Sequence, residues 1–323
     1  MGKNPLVVGI DVSKDTFNAH FDNTDLKLPN NLKGFRQFLK SVPQGSIYAM
    51  EATGSYHYRL ACYLHSKGCS VMVLNPYKVK HWIISNNDKA NDDKRAAINI
   101  SDYALSRVSK NVPFWQPMPP KLMRARVIVS FLNRFSKISI ACDGMNHAVS
   151  LILNKQNNLL SLMPEMKDTC KSQLSILEKE LCQLVKEIYP VQYRLLQTIP
   201  GIGSKTAAVF CVIARGFDGF ANEKRLASFV GLAPRFHESG ISIKSKRRIS
   251  KTGNPYLRGL LYMCAMTACK GDNPCRELYS RLIARGKNGM SALTAVMHKL
   301  VKFSFGVVNS GEPFRGGKIV PVN

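Results

Sequence analysis

Leu6-Val7-Val8-Gly9-Ile10-Asp11-Val12-Ser13-Lys14 is an apolar run with a single acid near its end. It reads as a central strand, and a lone carboxylate in a buried strand is expensive unless it meets a cation. A second segment, Ile47-Tyr48-Ala49-Met50-Glu51-Ala52-Thr53-Gly54, repeats the pattern with Glu51. Two acids carried by apolar strands look like half of a metal site for phosphoryl transfer. Around them, Thr16 to Phe21 reads as an antiparallel strand and Asn30 to Leu39 as a helix with Leu32, Phe35, Phe38 and Leu39 on one face. Tyr56 to Lys67 reads as a helix ended by Gly68, and Ser70 to Asn75 as a strand stopped by Pro76. Strand–helix–strand with short connections gives a parallel crossover, hence an α/β domain.

Farther along, Lys78 to Lys94 is polar, basic and poorly patterned, and is expected to be a mobile loop leading into a helix from about Asp92 to Val108. Lys121 to Leu153 has a helical pattern that carries Arg124, Arg126 and Arg134. Over 165–189 the leucines step 3-4-3-4 through Leu174, Leu177, Leu181, Leu184 and Ile188, which is heptad spacing. The narrow stripe packs either within the chain or against another one, and the reading favours pairing between chains. After Pro190 the chain is mainly helical. Thr198-Ile199-Pro200-Gly201-Ile202-Gly203-Ser204-Lys205 has the form of a helix–hairpin–helix element, in which glycines let the backbone approach a phosphate and Lys205 adds charge. An ordinary glycine-containing helix turn has the same signature.

Composition narrows the partner. Lys and Arg number 46 against 21 acids, a formal charge of +25 on 323 residues. That excess repels itself in a compact chain, and a polyanion such as nucleic acid relieves it. Apolar residues at 45% can fill real cores, and the length calls for more than one domain. No CxxC pair occurs among nine cysteines, and Cys62, Cys69, Cys182 and Cys211 sit in apolar stretches as expected buried thiols. Scattered histidines argue against zinc. Met1 to Pro5 leads directly into the first strand, so no signal peptide or membrane span is expected.

The densest basic stretch runs through Arg235, Lys244, Lys246, Arg247, Arg248, Lys251 and Arg258, with only Glu238 opposing. Ile241, Ile243 and Ile249 interleave it, so it reads as an ordered strand or loop rather than a tail. Ser239 and Ser242 lie inside it. A serine among cations is a candidate nucleophile toward phosphate, because the cations stabilise both alkoxide and transition state. From composition alone a serine is more often merely a polar surface residue.

Gly9-Ile10-Asp11-Val12-Ser13-Lys14, Met50-Glu51-Ala52-Thr53-Gly54, Asn75-Pro76, Leu232-Ala233-Pro234-Arg235 with Ser239-Gly240, and Arg248-Ile249-Ser250-Lys251-Thr252-Gly253-Asn254 together resemble the DEDD transposases of the insertion-sequence family numbered one hundred and ten, which includes pilin-gene-inverting proteins. The resemblance implies an α/β RuvC-like (RNase H-like) metal-binding domain over 1–155. It also implies a coiled-coil helical linker over 156–194 and a mainly α C-terminal transposase domain over 195–323. The implied activity is DNA recombination with Mg²⁺ (or Mn²⁺) and a serine nucleophile, guided by a structured noncoding bridge RNA. A homodimer or homotetramer acting on target and donor DNA in a bacterial or archaeal cytoplasm, associated with the nucleoid, goes with it.

Carried over by position, the family's first three acids fall on Asp11, Glu51 and Asp93, and its serine on Ser239 with Ser242 as runner-up. The fourth acid departs from the pattern: Asp93-Lys94-Arg95-Ala96-Ala97 has Ala96 where the family has Asp. Positions 93 and 96 share a helix face. Asp102 falls on the opposite side of the same helix and Asp92 about a quarter-turn away, so neither substitutes readily. The chain reads as an inactivated variant, or else as a natural member with an altered site. Two other functions stay open at this point: a RuvC-type nuclease using water, and a non-catalytic nucleic-acid-binding protein.

Overall fold

The structure is a computed structural model, and it describes residues 5–86, 93–108, 112–152, 159–235, 238–239, 243–244 and 248–316. The chain divides into two compact units, Met1–Met118 and Pro119–Asn323.

In the first unit, β1 (Val7–Val12), β2 (Thr16–Phe21), β3 (Thr24–Pro29), β4 (Ile47–Glu51) and β5 (Ser70–Leu74) form one sheet in the order β3-β2-β1-β4-β5. β1 pairs antiparallel with β2 and parallel with β4, which in turn is parallel to β5. Helices α1 (Leu32–Ser41), α2 (His57–Ser66), α3 (Pro76–Ser85) and α4 (Asp93–Val108) cover it. Because side chains alternate along a strand, β1 serves two cores. Val8 and Ile10 join Phe35 and Phe38 of α1 and Leu60 and Leu64 of α2. Val7, with Ile47 and Ala49 of β4, faces Val79 of α3 and Ile100, Tyr103 and Ala104 of α4. This mixed sheet with helices is compatible with the RuvC-like fold that the resemblance implies.

Two elements differ from expectation. The segment expected to be a mobile loop from Lys78 begins as helix α3: Asn75 caps it through a side-chain oxygen that accepts from the Tyr77 N–H at 2.9 Å, and Pro76 occupies its first turn. Pro76 therefore starts a helix as well as ending a strand. Val79, Trp82 and Ile83 then supply the i, i+3, i+4 apolar face that packs on the sheet. Strand β3 was not anticipated; its alternation rests on Leu26 and Leu28 alone, and pairing with β2 completes it.

In the second unit, α5 (Pro120–Ser150) and α6 (Leu159–Ile188) lie antiparallel, tied by the ion pairs Lys121–Glu187, Arg124–Glu180 and Lys167–Asp143. Leu181 and Val185 of α6 are fully buried inside the chain. Of the heptad stripe Leu181 is fully buried, with α5 and α8 (Ser204–Ile213) packed on α6, while Leu174, Leu177, Leu184 and Ile188 stay partly exposed. α5, read from sequence as the end of the first domain, packs in this second unit. α7 (Pro190–Leu196), α9 (Glu223–Val230), α10 (Pro255–Ala268), α11 (Pro274–Ala284) and α12 (Gly289–Ser310) complete it. α8 is buried from Thr206 to Ile213. By length and composition α12 is apolar enough to cross a membrane, but Val296, Leu300, Val301 and Phe303 are buried against neighbouring helices of the unit. Among the described residues all nine cysteines are free; Cys211 is buried, while Cys62, Cys69 and Cys182 are only partly so.

Between α9 and α10, β6 (Pro234–Arg235) pairs with β9 (Arg248–Ile249), and β7 (Glu238–Ser239) with β8 (Ile243–Lys244). These two short antiparallel pairs are the described part of the basic arm.

Candidate active site

Asp11 and Glu51 occupy the same level of two adjacent parallel strands. The parallel register ends at Ile10↔Met50, and Asp11 and Glu51 are the next residue of each strand. Both share parity with Val7 and Ile47, so both carboxylates leave the sheet on the α4 face. Neighbouring strands lie roughly 4.8 Å apart, which holds the two acids side by side at the C-terminal end of the parallel strands. Open α/β sheets gather ligands at that end.

The electrostatics are those of a site short of positive charge. Burial foremost, and the Asp11 charge to a lesser extent, push the Glu51 carboxyl above its ordinary range, while the Thr53 hydroxyl, 3.4 Å from Glu51 Oε1, pulls it back. A divalent cation relieves this strain directly, and two hard oxygen donors suit Mg²⁺ or Mn²⁺.

α4 packs its backbone directly on β1. Ser101 Oγ donates to the Val7 carbonyl at 3.1 Å, and Ala97 O sits against Gly9 so closely that a Cβ there would fall 1.9 Å from it. Gly9 is glycine because the α4 backbone occupies the space of its side chain. Asp93 opens α4, and its side chain lies outside the described residues. Ala96 stands one turn in, partly buried, next to buried Ala97 and Ile100. Asp102 is exposed, and Asp92 lies outside the described residues. Among the described residues no group of three or more acidic, His or Cys side chains forms a metal cluster.

In the second unit, Ser239 pairs with Ile243 as the last paired residue before the arm's tip. Arg235 pairs with Arg248, and Lys244 with Glu238. Ser242, Lys246 and Arg247 lie outside the described residues, as do the side chains of Ser239, Arg235, Lys244 and Arg248. Lys251 is exposed at the base of the arm, where its N–H donates to the Gly231 carbonyl at 3.1 Å. Lys205 is paired with Glu178 of α6, so its charge is already matched inside the chain. Gly201, at φ +83°, turns α7 into α8, and a Cβ there would lie 2.3 Å from the Cys264 carbonyl of α10. This glycine serves close packing of two helices.

Comparison with known proteins matches this division. The DEDD transposase family of the IS110 group matches residues 8–118, and the transposase IS116/IS110/IS902 family matches residues 193–280. A pilin gene-inverting protein of Moraxella lacunata is 29% identical over 321 residues, covering 95% of this chain and 97% of its own. The chain belongs to the IS110 family of DEDD transposases. The transposase for insertion sequence element IS1111A of Coxiella burnetii is 23% identical over 341 residues, covering 98% of this chain and 93% of its own. This transposase is therefore of a class that cleaves and rejoins DNA. The first family match spans the unit with Asp11 and Glu51, and the second begins at α7 and spans the basic arm. Residues absent from the sequence reading include Thr53 as the partner of Glu51. No local pattern marks it, since its role depends on a loop folding back on the strand end.

Proposed function

We propose that this transposase holds a divalent cation, Mg²⁺ or Mn²⁺, between Asp11, Glu51 and Asp93, and uses Ser239 as nucleophile. The observation that supports the reading is that Asp11 and Glu51 close two adjacent parallel strands on the sheet face that α4 covers. Bound there, the cation supplies positive charge to a phosphodiester oxygen. The Ser239 oxygen forms a bond to phosphorus while the bond from phosphorus to a deoxyribose oxygen breaks. The serine proton leaves to water, and the departing oxygen takes one up. The phosphoserine link conserves the phosphodiester energy, so the reverse attack by another strand end reseals DNA without ATP. The cationic residues of the arm, Arg235, Lys244, Lys246, Arg247, Arg248 and Lys251, neutralise backbone phosphates. A structured bridge RNA selects the target and donor DNA by base pairing, with the protein reading its shape and backbone. The two units act together in a homodimer or homotetramer in the cytoplasm. Ala96 removes a carboxylate from the α4 face that Asp93 begins, so the chain as it stands is impaired.

The test uses the Ala96→Asp chain purified from its own cell with any RNA that stays bound, mixed with plasmid DNA and Mg²⁺. Denaturing gels with and without protease should show protein-linked DNA that vanishes with Ser239→Ala. Free DNA ends that persist in Ser239→Ala mean a water nucleophile. No cleavage from Ala96→Asp with its RNA present leaves nucleic-acid binding as the whole function.

A further inference from the structure

The second unit contains a cleft of about 680 Å³ distinct from both the acids and the arm. That size is within the roughly 300–1,000 Å³ of small-molecule sites. One wall is a single stripe of α5, with Arg126, Ser130 and Asn133; the opposite wall is Thr252 to Tyr256, directly after the basic arm. Val212 and Ile213 of α8 line the floor, and Phe229 of α9 stands at the side, 40% exposed. An apolar floor, an accessible aromatic ring, an amide and a guanidinium are the groups that hold a base and its phosphate.

Charge identifies the ligand further. Arg126 is exposed at the cleft wall, and partial desolvation there, then repulsion by Arg215, push its guanidinium below the ordinary value. Among the described residues no carboxylate forms an ion pair with Arg126; the Tyr189 phenol lies near both arginines, and Asp218 near Tyr189. Arg215 is held in place by an unusual turn in which Arg215, Gly216 and Phe217 have φ of 50°, 69° and 75°. Two non-glycine residues in the left-handed region are a strained arrangement, of the kind that persists at functional sites. An anion placed at Arg126 offsets that repulsion. Tyr256, pushed up to about 12 first by burial and then by Glu178, stays a neutral hydroxyl donor.

We infer that this cleft takes one unstacked nucleotide of the nucleic acid, its phosphate on Arg126, its base against Phe229 and its base edge toward Asn133. A base inside a duplex cannot enter, so the cleft selects a single-stranded or flipped-out position. The inference rests on the chain acting on nucleic acid and is independent of the metal and serine assignments.

The test uses the full chain with two 12-residue single strands, one of DNA carrying 5-iododeoxyuridine and one of RNA carrying 5-iodouridine. After irradiation and digestion, mass spectrometry should place the cross-link on Phe229 or Tyr256, and the strand that gives it identifies DNA or RNA as the source. Phe229→Ala should remove the cross-link and weaken binding of that strand about tenfold, the equivalent of one base–aromatic stack, while leaving affinity for a 12-base-pair duplex unchanged. Asn133→Ala, at a surface position, should weaken the same strand about threefold with the far-ultraviolet spectrum of the parent. Cross-links confined to the arm, or equal single-strand affinity in both variants, overturn the cleft assignment while duplex binding preserves the family reading. A chain that binds neither strand nor duplex overturns both.

Discussion

Gly9→Ala tests the joint on which the acidic site depends. A methyl group at Gly9 meets Ala97 O at 1.9 Å, Ser101 N at 2.6 Å and Ser101 Cβ at 2.8 Å. The two nearest atoms are helix backbone, so no rotamer relieves the overlap. To restore van der Waals distance α4 must retreat by about 1.5 Å, partly unpacking Ile100, Tyr103 and Ala104. Overpacking a core costs about 1–3 kcal/mol where side chains yield, so about 3 kcal/mol or more is expected here. In a unit of this size that corresponds to a fall in Tm of roughly 10 °C. The chain's two tryptophans, Trp82 and Trp115, both lie in this first unit, and Trp82 packs on Tyr103 of α4 with ring centroids 5.9 Å apart. Tryptophan fluorescence during heating therefore reports this unit alone. Adding Ser101→Gly should not rescue the variant, because the closest clash is with a carbonyl. Recombination by the Ala96→Asp chain should fall about a hundredfold when Gly9→Ala is added, since a displacement of about 1 Å at the site costs that much. A Tm within about 3 °C of the parent, or rescue by Ser101→Gly, would refute the packing of α4 on β1.

Three further outcomes are expected. Ala96→Asp should make the tryptophan-reported Tm rise with Mg²⁺, by the equivalent of about 2.7 kcal/mol at a hundred times the Kd, whereas Ala96→Asn should respond far less; equal responses would remove position 96 from the metal site. Glu51 has a raised pKa in the folded chain, so the folded state binds more protons through and just above the ordinary carboxylate range, and Glu51 disfavours folding progressively as pH rises through that window. Glu51→Gln, melted in EDTA, should raise Tm at neutral pH, with the gain shrinking toward pH 4; a gain independent of pH would refute the raised carboxyl that burial, and secondarily Asp11, produces. Gly201→Ala must place a side chain at φ +83° and 2.3 Å from Cys264 O. It should lower the helical melting transition followed by circular dichroism by several degrees, and an unchanged melt would free Gly201 for contact with a ligand.

The strands bearing Asp11 and Glu51 were legible because a half-turn periodicity and apolar composition are local properties. In the basic arm Ile243 and Ile249 fall in the described strand pairs, and Ile241 lies outside the described residues. α3 was not, since Pro76 signals both the end of a strand and the first turn of a helix, and the packing of Val79, Trp82 and Ile83 on the sheet decides between them. β3 was missed because two leucines make a strand only when β2 pairs with them. The heptad stripe of α6 announced a partner without naming it; α5 of the same chain packs on this helix, and Leu174, Leu177, Leu184 and Ile188 remain partly exposed. Lys205 and Gly201 fitted a phosphate-binding turn by pattern; Glu178 and the backbone of α10 meet them instead.

By itself the sequence determined the charge of +25 and most of the strand and helix segments. Those features come from residue chemistry and near-neighbour spacing. Only the tertiary structure decided that Asp11 and Glu51 stand on adjacent strands, that Gly9 admits α4 above them, and that Arg126, Asn133, Phe229 and Tyr256 share one cleft. Strand order and helix crossing bring together residues tens to over a hundred positions apart, and those arrangements are set by the packing of whole faces, which no local window of sequence contains.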